Sequence, residues 1–229
     1  MRVKLAIGCC LALAAPVFAQ PQLQVVGNQI VDETGQAVWL QGVNIPSLEW
    51  TPAGERVLGS VAWAISDWGC SLIRLPLSAE YWLAPGDDGP AYRALVASVV
   101  GACVEADAYI ILDLHAYRAP TEVHLEFWRD AASRYANHPA VLFGLLNEPH
   151  DIGWATWRDG GPVSWEENGE NLTAASPGMQ GLVDSIRVAG ADNLLVAAGL
   201  DWGYDLSGVV DGYALEDPGG RGIVYDSHI

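Results

Sequence analysis

Lysine is almost missing from this sequence. Lys4 is the only one among 229 residues, and 28 acidic residues against eleven basic ones give a formal net charge of −17. Proteins that bind nucleic acids or anionic membranes use clustered lysine and arginine to neutralise phosphate groups. The shortage of basic side chains therefore argues against such partners, whereas a neutral polymer such as a polysaccharide is compatible with this charge.

Motifs that would indicate a bound cofactor are also missing. The sequence contains no CxxC or HxH pair of the kind that metal sites use, and no GxGxxG follows the first strand candidate. We therefore expect no metal and no organic cofactor. A metal-dependent barrel hydrolase stays open as an alternative, because Asp113, His115, Glu148 and His228 could in principle bind a metal ion.

The amino terminus lacks an apolar run long enough to span a membrane, which takes about 20 residues. Residues 5–15 are apolar, Arg2 and Lys4 precede them, and the small-residue pattern Val17-Phe18-Ala19 follows. This is the pattern of a secretory signal peptide, predicted at residues 1–19. We expect residues 20–229 to be secreted, extracellular or periplasmic, without membrane contact and as a monomer.

Few cysteines are present, and only Cys70 and Cys103 lie beyond the predicted signal peptide. An exported protein can form a disulfide between them. Two free thiols are the alternative, and the sequence leaves the choice open because one possible pairing carries no geometric information.

Short apolar runs that end in polar residues recur along the chain and predict six β-strands. They cover residues 38–44, 72–77, 109–115, 141–148, 194–199 and 222–228, after a small hairpin around Gly27 and Asn28. Helices are predicted at residues 53–67, 91–106, 122–136 and 177–190, with a less regular one at 203–211. This alternation indicates an α/β fold with a parallel sheet.

Polar residues end nearly all of these strands, rather than clustering at one point of the sheet. That distribution favours a (β/α)8 TIM barrel, whose active site is built from all the strand ends, over an open doubly wound sheet. About six of the eight βα units are visible in residues 20–229. Successive strand side chains alternate in direction, so the pairs Asp113 and His115, and Asp226 and His228, each face one way.

Tryptophan is abundant, with ten in the chain. Aromatic rings can stack on the apolar faces of sugars, and the tryptophans that follow strand ends are candidates for this role. These candidates are Trp50, Trp82, Trp154, Trp157 and Trp202, with loop packing as the alternative. The long insertion at 149–176 is predicted to form one wall of a substrate cleft. Helix and strand patterns predict a core position for Trp39, Trp63, Trp68 and Trp128.

The ordered set of motifs resembles glycoside hydrolase family 5, the cellulase family of (β/α)8 barrels. The matching stretches are IVDETGQAVWLQGVN, IRLPLS, IILDLHAY, VLFGLLNEPH and IVYDSHI, which extend over residues 30–229. The run LLNEP on an apolar strand is the most specific of them. The resemblance implies a retaining glycoside hydrolase that acts on β-linked glucan, with an endo-β-1,4-glucanase as the best match.

Roles follow from the resemblance by position. Glu148 matches the general acid/base, and Asn147 matches the amide that holds a sugar hydroxyl. Arg74 matches the arginine that supports the nucleophilic carboxylate, and His115 and His228 match two pocket histidines. We interpret Asp113 as a supporting residue or a packing residue. His124, His138 and His150 are predicted to lie at the surface or in loops.

Three residues that the family has are missing from these 229 residues: a tyrosine two positions after the second histidine, a nucleophilic glutamate on strand seven and a tryptophan on strand eight. We therefore expect a fragment that lacks its nucleophile. An endo-β-mannanase or another β-glucanase remains an alternative, because the same catalytic groups serve those substrates. A non-catalytic carbohydrate-binding remnant is the third reading.

Overall fold

The computed structural model describes residues 20–167 and 169–229. The predicted signal peptide, residues 1–19, lies outside the described residues. Across the part of the chain that is described, no helix is both long and apolar enough to cross a bilayer.

Ten strands and six α-helices make up the described structure. The strands are β1 (Leu23–Val26), β2 (Gln29–Asp32), β3 (Gly42–Asn44), β4 (Leu72–Leu77), β5 (Tyr109–Leu114), β6 (Val141–Gly144), β7 (Gly161–Glu167), β8 (Glu170–Ser176), β9 (Leu195–Ala198) and β10 (Ile223–Asp226). The helices are α1 (Val57–Ser66), α2 (Ala79–Trp82), α3 (Asp88–Glu105), α4 (Glu122–Arg134), α5 (Trp154–Asp159) and α6 (Gly178–Val188).

Six strands form one parallel sheet in the order β10-β9-β6-β5-β4-β3. Apart from the hairpin β7–β8, which pairs only with itself, this order follows the chain without reversal. An open doubly wound sheet would reverse at a switch point. The six predicted strands and the barrel winding are therefore confirmed, and the sheet is a half-barrel in which β3 and β10 each have a strand neighbour on one side within the described residues.

The sheet is apolar because helices cover its outer face. Ile73, Leu75, Ile110, Leu112 and Phe143 are fully buried in the central strands. Parallel strands buried on both faces read as nearly continuous apolar runs, which is why the sequence pattern located them. Each such side chain contributes about 1.5–3 kcal/mol through removal from water.

The hairpin β1–β2 closes the amino-terminal end of the sheet. Its backbone is tied to the β9–β10 connection by a hydrogen bond from the Val25 N–H to the Arg221 carbonyl, at 2.8 Å. Leu23 packs with Tyr109, Leu142 and Leu194 in a small second core. The carboxyl ends of the strands therefore form the free end where a site can be built.

The insertion at 149–176 has a defined structure. It consists of α5 and the antiparallel hairpin β7–β8, whose strands pair from Gly161 with Ser176 to Glu167 with Glu170. The helix predicted at 203–211 is only partly present: residues 207–208 are helical and continue into a short π-helical turn at Val209–Tyr213, whereas residues 203–206 are not helical. A side chain at Gly208 would overlap the ring of Trp154, so close packing against α5 shapes this segment.

Three tryptophans predicted to lie in the core are exposed instead: Trp39, Trp63 and Trp68. Trp63 lies on α1, whose buried side chains are Val57, Val61 and Ala64. Position 63 falls on the opposite side of that helix, since residues at i, i+4 and i+7 share a face. Trp128 is fully buried, as predicted.

The two cysteines are free thiols. Cys103 is buried in the core on α3, and burial raises the pKa of its thiol to about 12. Cys70 is partly exposed before β4. The sequence left open whether Cys70 and Cys103 form a disulfide, and in the structure they do not.

Candidate active site

The parallel register brings polar side chains together at the carboxyl ends of the strands. Asn44 of β3 lies beside Arg74 of β4, and Asp113 of β5 lies beside Gly144 of β6. A Cβ atom at Gly144 would be 3.1 Å from Asp113 Oδ1. The glycine in the run VLFG therefore leaves room for the Asp113 carboxylate between two strands.

Arg74 is the centre of a hydrogen-bonded group. Its guanidinium contacts Asp113 Oδ2 at 2.9 Å, Asn147 Oδ1 at 2.6 Å and Asn44 Oδ1 at 2.9 Å. Asp113 and Asn147 are both 2% exposed. The fork of N–H donors on arginine suits several oxygen partners at once, so Arg74 fixes the orientation of the Asn147 amide. Asp113 is thus a supporting residue, although its burial also fits a packing role.

The chain beyond β6 stays extended, although regular strand pairing ends at Gly144. The Leu145 N–H donates to Val196 O at 2.9 Å, the Asn147 N–H to Leu114 O at 3.0 Å, and the Glu148 N–H to Ala116 O at 3.2 Å. The first of these bonds goes to β9, and the other two go to β5 and the residues directly after it. They hold Asn147 and Glu148 at the rim, between β5 and β9.

The Asn147 amide offers a free donor. Its Nδ2 atom is buried and has no hydrogen-bond partner among the described protein atoms. A buried N–H group without a protein partner is costly and rare, so this donor is expected to meet an acceptor from outside the protein, either water or a ligand. A sugar hydroxyl is such an acceptor.

Glu148 contacts His228. Its Oε1 atom lies 3.0 Å from His228 Nδ1, and His228 Nε2 lies 3.1 Å from Asp226 Oδ2. The Glu148 side chain is 27% exposed, which leaves it accessible from the rim. The predicted site residues therefore fall into two adjoining groups: Arg74, Asn147 and His115 around Asp113, and Glu148 with His228.

His115 is held by Asp113 and by a tyrosine that the sequence reasoning missed. Its Nδ1 lies 2.9 Å from Asp113 Oδ2, and its Nε2 lies 3.2 Å from the Tyr117 hydroxyl. Burial, followed by the negative charge of Glu148, raises the pKa of the Tyr117 hydroxyl, so it stays protonated. The signal for Tyr117 was available: it lies two residues after His115.

Two of the five predicted sugar-binding tryptophans are core residues, and those predictions are wrong. Trp82 and Trp157 are fully buried. The Trp82 Nε1–H donates to Asp130 Oδ2 at 2.8 Å, and the Trp157 Nε1–H donates to the Ala198 carbonyl at 3.0 Å. Each indole N–H finds its partner inside the protein, so nothing keeps the ring at the surface.

The other three candidates differ in exposure. Trp50 is 55% exposed and Trp202 is 50% exposed. Trp154 is partly buried, with its ring 4.9 Å from that of Trp157 and stacked near Tyr213. Trp50 and Trp202 are therefore the two indoles best able to meet a ligand.

Two histidines predicted at the surface or in loops are buried. His124 is the third residue of α4, and its Nδ1 accepts the Thr121 N–H at 3.0 Å, which caps the helix. Burial lowers the pKa of His124 to about 4. His150 follows Pro149 directly and stacks against Trp202. His150 is a rim residue that sequence reasoning missed.

A cleft of about 420 Å³ opens beside the rim. The β5–α4 loop forms one side with Tyr117 and Arg118, the hairpin β7–β8 forms the other with Trp165, and His150 and Asp151 line it between them. A larger groove of about 740 Å³ runs along α1, but it contains only Asn44 of the strand-end polar groups. The smaller cleft adjoins the rim through His150 and through Tyr117, whose hydroxyl contacts His115. Asn44, Arg74 and Asp226 instead line a third hollow of about 360 Å³ on the sheet.

Metal ligands are not grouped in this structure. Within residues 20–167 and 169–229, no set of three or more histidine, cysteine, aspartate or glutamate side chains is arranged to hold a metal ion.

Comparison with known families gives one match over most of the chain. The model of the family described as Cellulase (glycosyl hydrolase family 5) matches residues 31–229. Endoglucanase N of Pectobacterium atrosepticum is 30% identical over 215 residues, which are 90% of this chain and 43% of that protein. Endoglucanase 5 of Pectobacterium carotovorum subsp. carotovorum is 29% identical, over 90% of this chain and 38% of that protein. The chain thus spans about two fifths of the length of these relatives.

Solved structures share the fold. A β-glucanase from Saccharophagus degradans, in complex with cellotetraose, superposes with a TM-score of 0.70 at 23% identity, over 97% of this chain and 68% of that one. The catalytic domain of endoglucanase Cel5A from Thermobifida fusca gives a TM-score of 0.67 at 18% identity, over 89% of this chain and 63% of that one. At these identities the likeness concerns the fold alone.

Proposed function

Because the chain belongs to glycosyl hydrolase family 5, we propose that it forms part of a retaining endo-β-1,4-glucanase that acts on β-linked glucan without a cofactor, and that it supplies the general acid/base. The single observation that carries the proposal is the strand-end pair Asn147 and Glu148. The amide is held by Arg74 with a free N–H, and the carboxylate lies at 3.0 Å from His228.

Glycoside cleavage gives these groups their roles. One carboxyl group must donate a proton to the leaving oxygen and later remove one from water, and Glu148 is our candidate for this general acid/base. Hydrogen bonds to the sugar 2-hydroxyl strengthen as the transition state forms, and the Asn147 amide is the candidate donor. His115 and His228 orient the carboxylates around them through the contacts described above.

Retention requires a second carboxylate about 5–5.5 Å from the first. We propose that this nucleophile is not among these 229 residues. Two observations support the proposal. The strand-end carboxylate of Asp113 is already bound by Arg74 and His115, and that of Asp226 by His228. In addition, both edge strands of the half-barrel have open pairing sides among the described residues.

The preference for β-1,4-glucan rests on similarity and on the exposed indoles. The curated relatives compared above are called endoglucanases, and the glucanase from Saccharophagus degradans was solved with cellotetraose. Trp50 and Trp202 could stack on glucosyl rings. A β-mannanase or another β-glucanase would use the same acid/base and amide, so substrate choice has to be measured.

A non-catalytic glucan-binding role is the second candidate. It is favoured by two features: the exposed indoles of Trp50 and Trp202, and strand-end aspartates that are already engaged by Arg74, His115 and His228.

Binding and turnover, measured separately on residues 20–229, test these proposals. We expect calorimetric titration to give tighter binding of cellotetraose than of mannotetraose or laminaritetraose. Reducing-sugar assays on carboxymethyl cellulose, mannan and laminarin should show little or no hydrolysis, and a chelator should change nothing. Binding of none of the three oligosaccharides would contradict the glucan proposal. Full hydrolysis of any of the three polysaccharides would contradict the proposal that the nucleophile is missing from these residues. Hydrolysis that a chelator inhibits would favour the metal-dependent alternative.

Secretion remains a prediction from residues 1–19. Expression of the full chain in a bacterial host with a signal peptidase, followed by mass spectrometry of the exported protein, should give a product that begins at Gln20. Retention of residues 1–19 in an exported product would contradict that cleavage site.

A further inference from the structure

Trp202 occupies an unusual backbone conformation at the rim. Asp201 and Trp202 have φ angles of 53° and 62°, so two consecutive residues with side chains adopt the left-handed region. For a bulky residue this conformation is rare, and it persists only where the surroundings impose it. The turn is closed by paired hydrogen bonds between Leu200 and Asp205, at 2.9 and 2.8 Å.

This turn is tied to both neighbours of the general acid/base candidate. The Trp202 N–H donates to the Pro149 carbonyl at 3.2 Å, directly after Glu148. The Gly203 carbonyl accepts the His228 N–H at 3.0 Å, and His228 in turn contacts Glu148. The backbone at Trp202 is therefore fixed relative to Glu148 from two sides.

The indole itself is held by His150. The two rings are stacked, with centroids 3.5 Å apart and planes 15° from parallel, and the His150 side chain is only 4% exposed. His150 Nδ1 lies 3.0 Å from Asp151 Oδ2, although the two atoms are not in hydrogen-bonding geometry. The stack on Trp202 and the neighbouring Asp151 carboxylate are thus the contacts that hold the His150 ring.

One face of the Trp202 ring is covered by His150, while half of the residue remains exposed to solvent. The uncovered face is the one available to a flat apolar partner. Tyr117 is a ring neighbour of Trp202, with centroids 6.1 Å apart and planes tilted by 60°, and its hydroxyl contacts His115. A sugar ring on this face would therefore lie next to the polar group around Asp113.

We propose that His150 is a positioning residue: by stacking beneath Trp202 it holds the indole as a rigid platform for a glucosyl unit beside the bond that Glu148 would cleave. The inference rests on the proposed function. A platform fixed before the ligand arrives loses less conformational freedom on binding, which improves affinity.

A double-mutant cycle on residues 20–229 tests the inference, with the dissociation constant for cellotetraose as readout. We expect His150→Ala to weaken binding about fivefold to tenfold, because the unsupported indole must be ordered on binding. His150→Phe keeps a flat ring and should bind within about twofold of the unmodified chain. In Trp202→Ala, a further His150→Ala change should have almost no effect, since His150 acts through the indole.

The indole N–H resonance of Trp202, assigned from its loss in Trp202→Phe, gives a readout without sugar. In His150→Ala, this Trp202 resonance should shift and broaden. The control variant Trp39→Ala removes an exposed indole outside the rim, so the Trp202 resonance and the affinity for cellotetraose should both stay unchanged. Unchanged affinity in His150→Ala, or effects of the two substitutions that simply add, would overturn the positioning role. If the unmodified chain bound no oligosaccharide, the proposed function would fail, and the platform role would fail with it. The sugar-free resonance would still report whether the stack exists.

Discussion

The same three-residue pattern, aspartate and histidine two positions apart, occurs on β5 and on β10, and the two copies behave differently. On β5, Asp113 is buried, and it binds both Arg74 and His115. On β10, the Asp226 side chain is 35% exposed, and the histidine lies between two carboxylates, those of Asp226 and Glu148. The spacing alone sets the direction of the side chains, because strand residues alternate.

The neighbours of each strand decide what the pair does. β5 lies between β4 and β6, so Arg74 of β4 reaches Asp113 and the β5 pair becomes part of the buried framework. β10 has only β9 beside it in the described residues, so its pair stays accessible and its histidine reaches Glu148. We therefore propose that Asp113 and His115 hold the surrounding side chains in place, whereas His228 and Asp226 act on Glu148, the candidate general acid/base.

The largest predicted effect is on the β5 pair. Asp113→Ala leaves the largely buried Arg74 without its carboxylate partner, and we expect it to lower the free energy of unfolding by about 3 kcal/mol, as for other broken buried pairs. Denaturant titration followed by circular dichroism measures this loss.

Asp113→Asn is the matched variant, since it keeps the shape and the hydrogen-bonding oxygen but removes the charge. It should be less destabilising than Asp113→Ala. Loss of less than about 0.5 kcal/mol in Asp113→Ala, the range of an ordinary surface substitution, would contradict a framework role for the β5 pair.

His124 differs from His115 and His228 because it is buried and accepts a hydrogen bond from the backbone, whereas they contact carboxylates. Burial lowers the pKa of His124 to about 4, and its Nδ1 accepts the Thr121 N–H only when unprotonated. The unfolded chain, with an ordinary pKa near 6.5, binds the proton first, so this contribution to stability is present above pH 6.5 and is lost between 6.5 and 4. We expect a loss of about 2–3 kcal/mol over that interval.

His124→Gln isolates this contribution, because glutamine can accept the same helix-capping hydrogen bond without titrating. Stability curves of the two proteins, measured by denaturant titration from pH 7 to pH 4, should diverge as the pH falls, with the variant less sensitive. Parallel curves would show that His124 does not carry the pH dependence.

The smallest predicted effect is on the β10 pair. Asp226→Ala removes a contact between partly exposed groups, and we expect it to cost less than about 1 kcal/mol, because solvent screens such pairs. Thermal unfolding of Asp226→Ala and Asp113→Ala, measured under the same conditions, compares the two losses of stability. Equal losses in the two variants would mean that the open edge of the half-barrel does not distinguish the pairs.

Much of the fold could be predicted because buried parallel strands leave a clear mark on the sequence. The six strands lie where the apolar runs predicted them, and the strand-end pattern indicated both site groups, the one with Arg74 and Asn147 and the one with Glu148 and His228. The strand VLFGLLNE was predicted to run to Glu148, whereas regular pairing stops at Gly144 and single hydrogen bonds, one to β9 and two to the β5 side, continue the extended chain. The apolar pattern of the sequence is the same for a regularly paired strand and for an extended segment held by single hydrogen bonds, so it could not locate the end of the strand.

The tryptophans could not be assigned from sequence, since an indole after a strand end can turn either way. Trp157 and Trp202 both follow strands, but Trp157 buries its N–H on the Ala198 carbonyl, while Trp202 is turned outward by a left-handed backbone. Both outcomes depend on contacts between segments about 40 or more residues apart. His150 was missed for the same reason: its partner, Trp202, is distant in the chain.

We propose that the carboxyl ends of the half-barrel strands form one glucan-binding site around Asn147 and Glu148. Titration of isotope-labelled residues 20–229 with cellotetraose, followed by nuclear magnetic resonance, tests this proposal. We expect the largest shifts at the Asn147 side-chain amide and at the signals of Glu148, His115 and His228. Shifts confined to the exposed indoles of Trp39, Trp63 and Trp68, or no shifts at all, would contradict it.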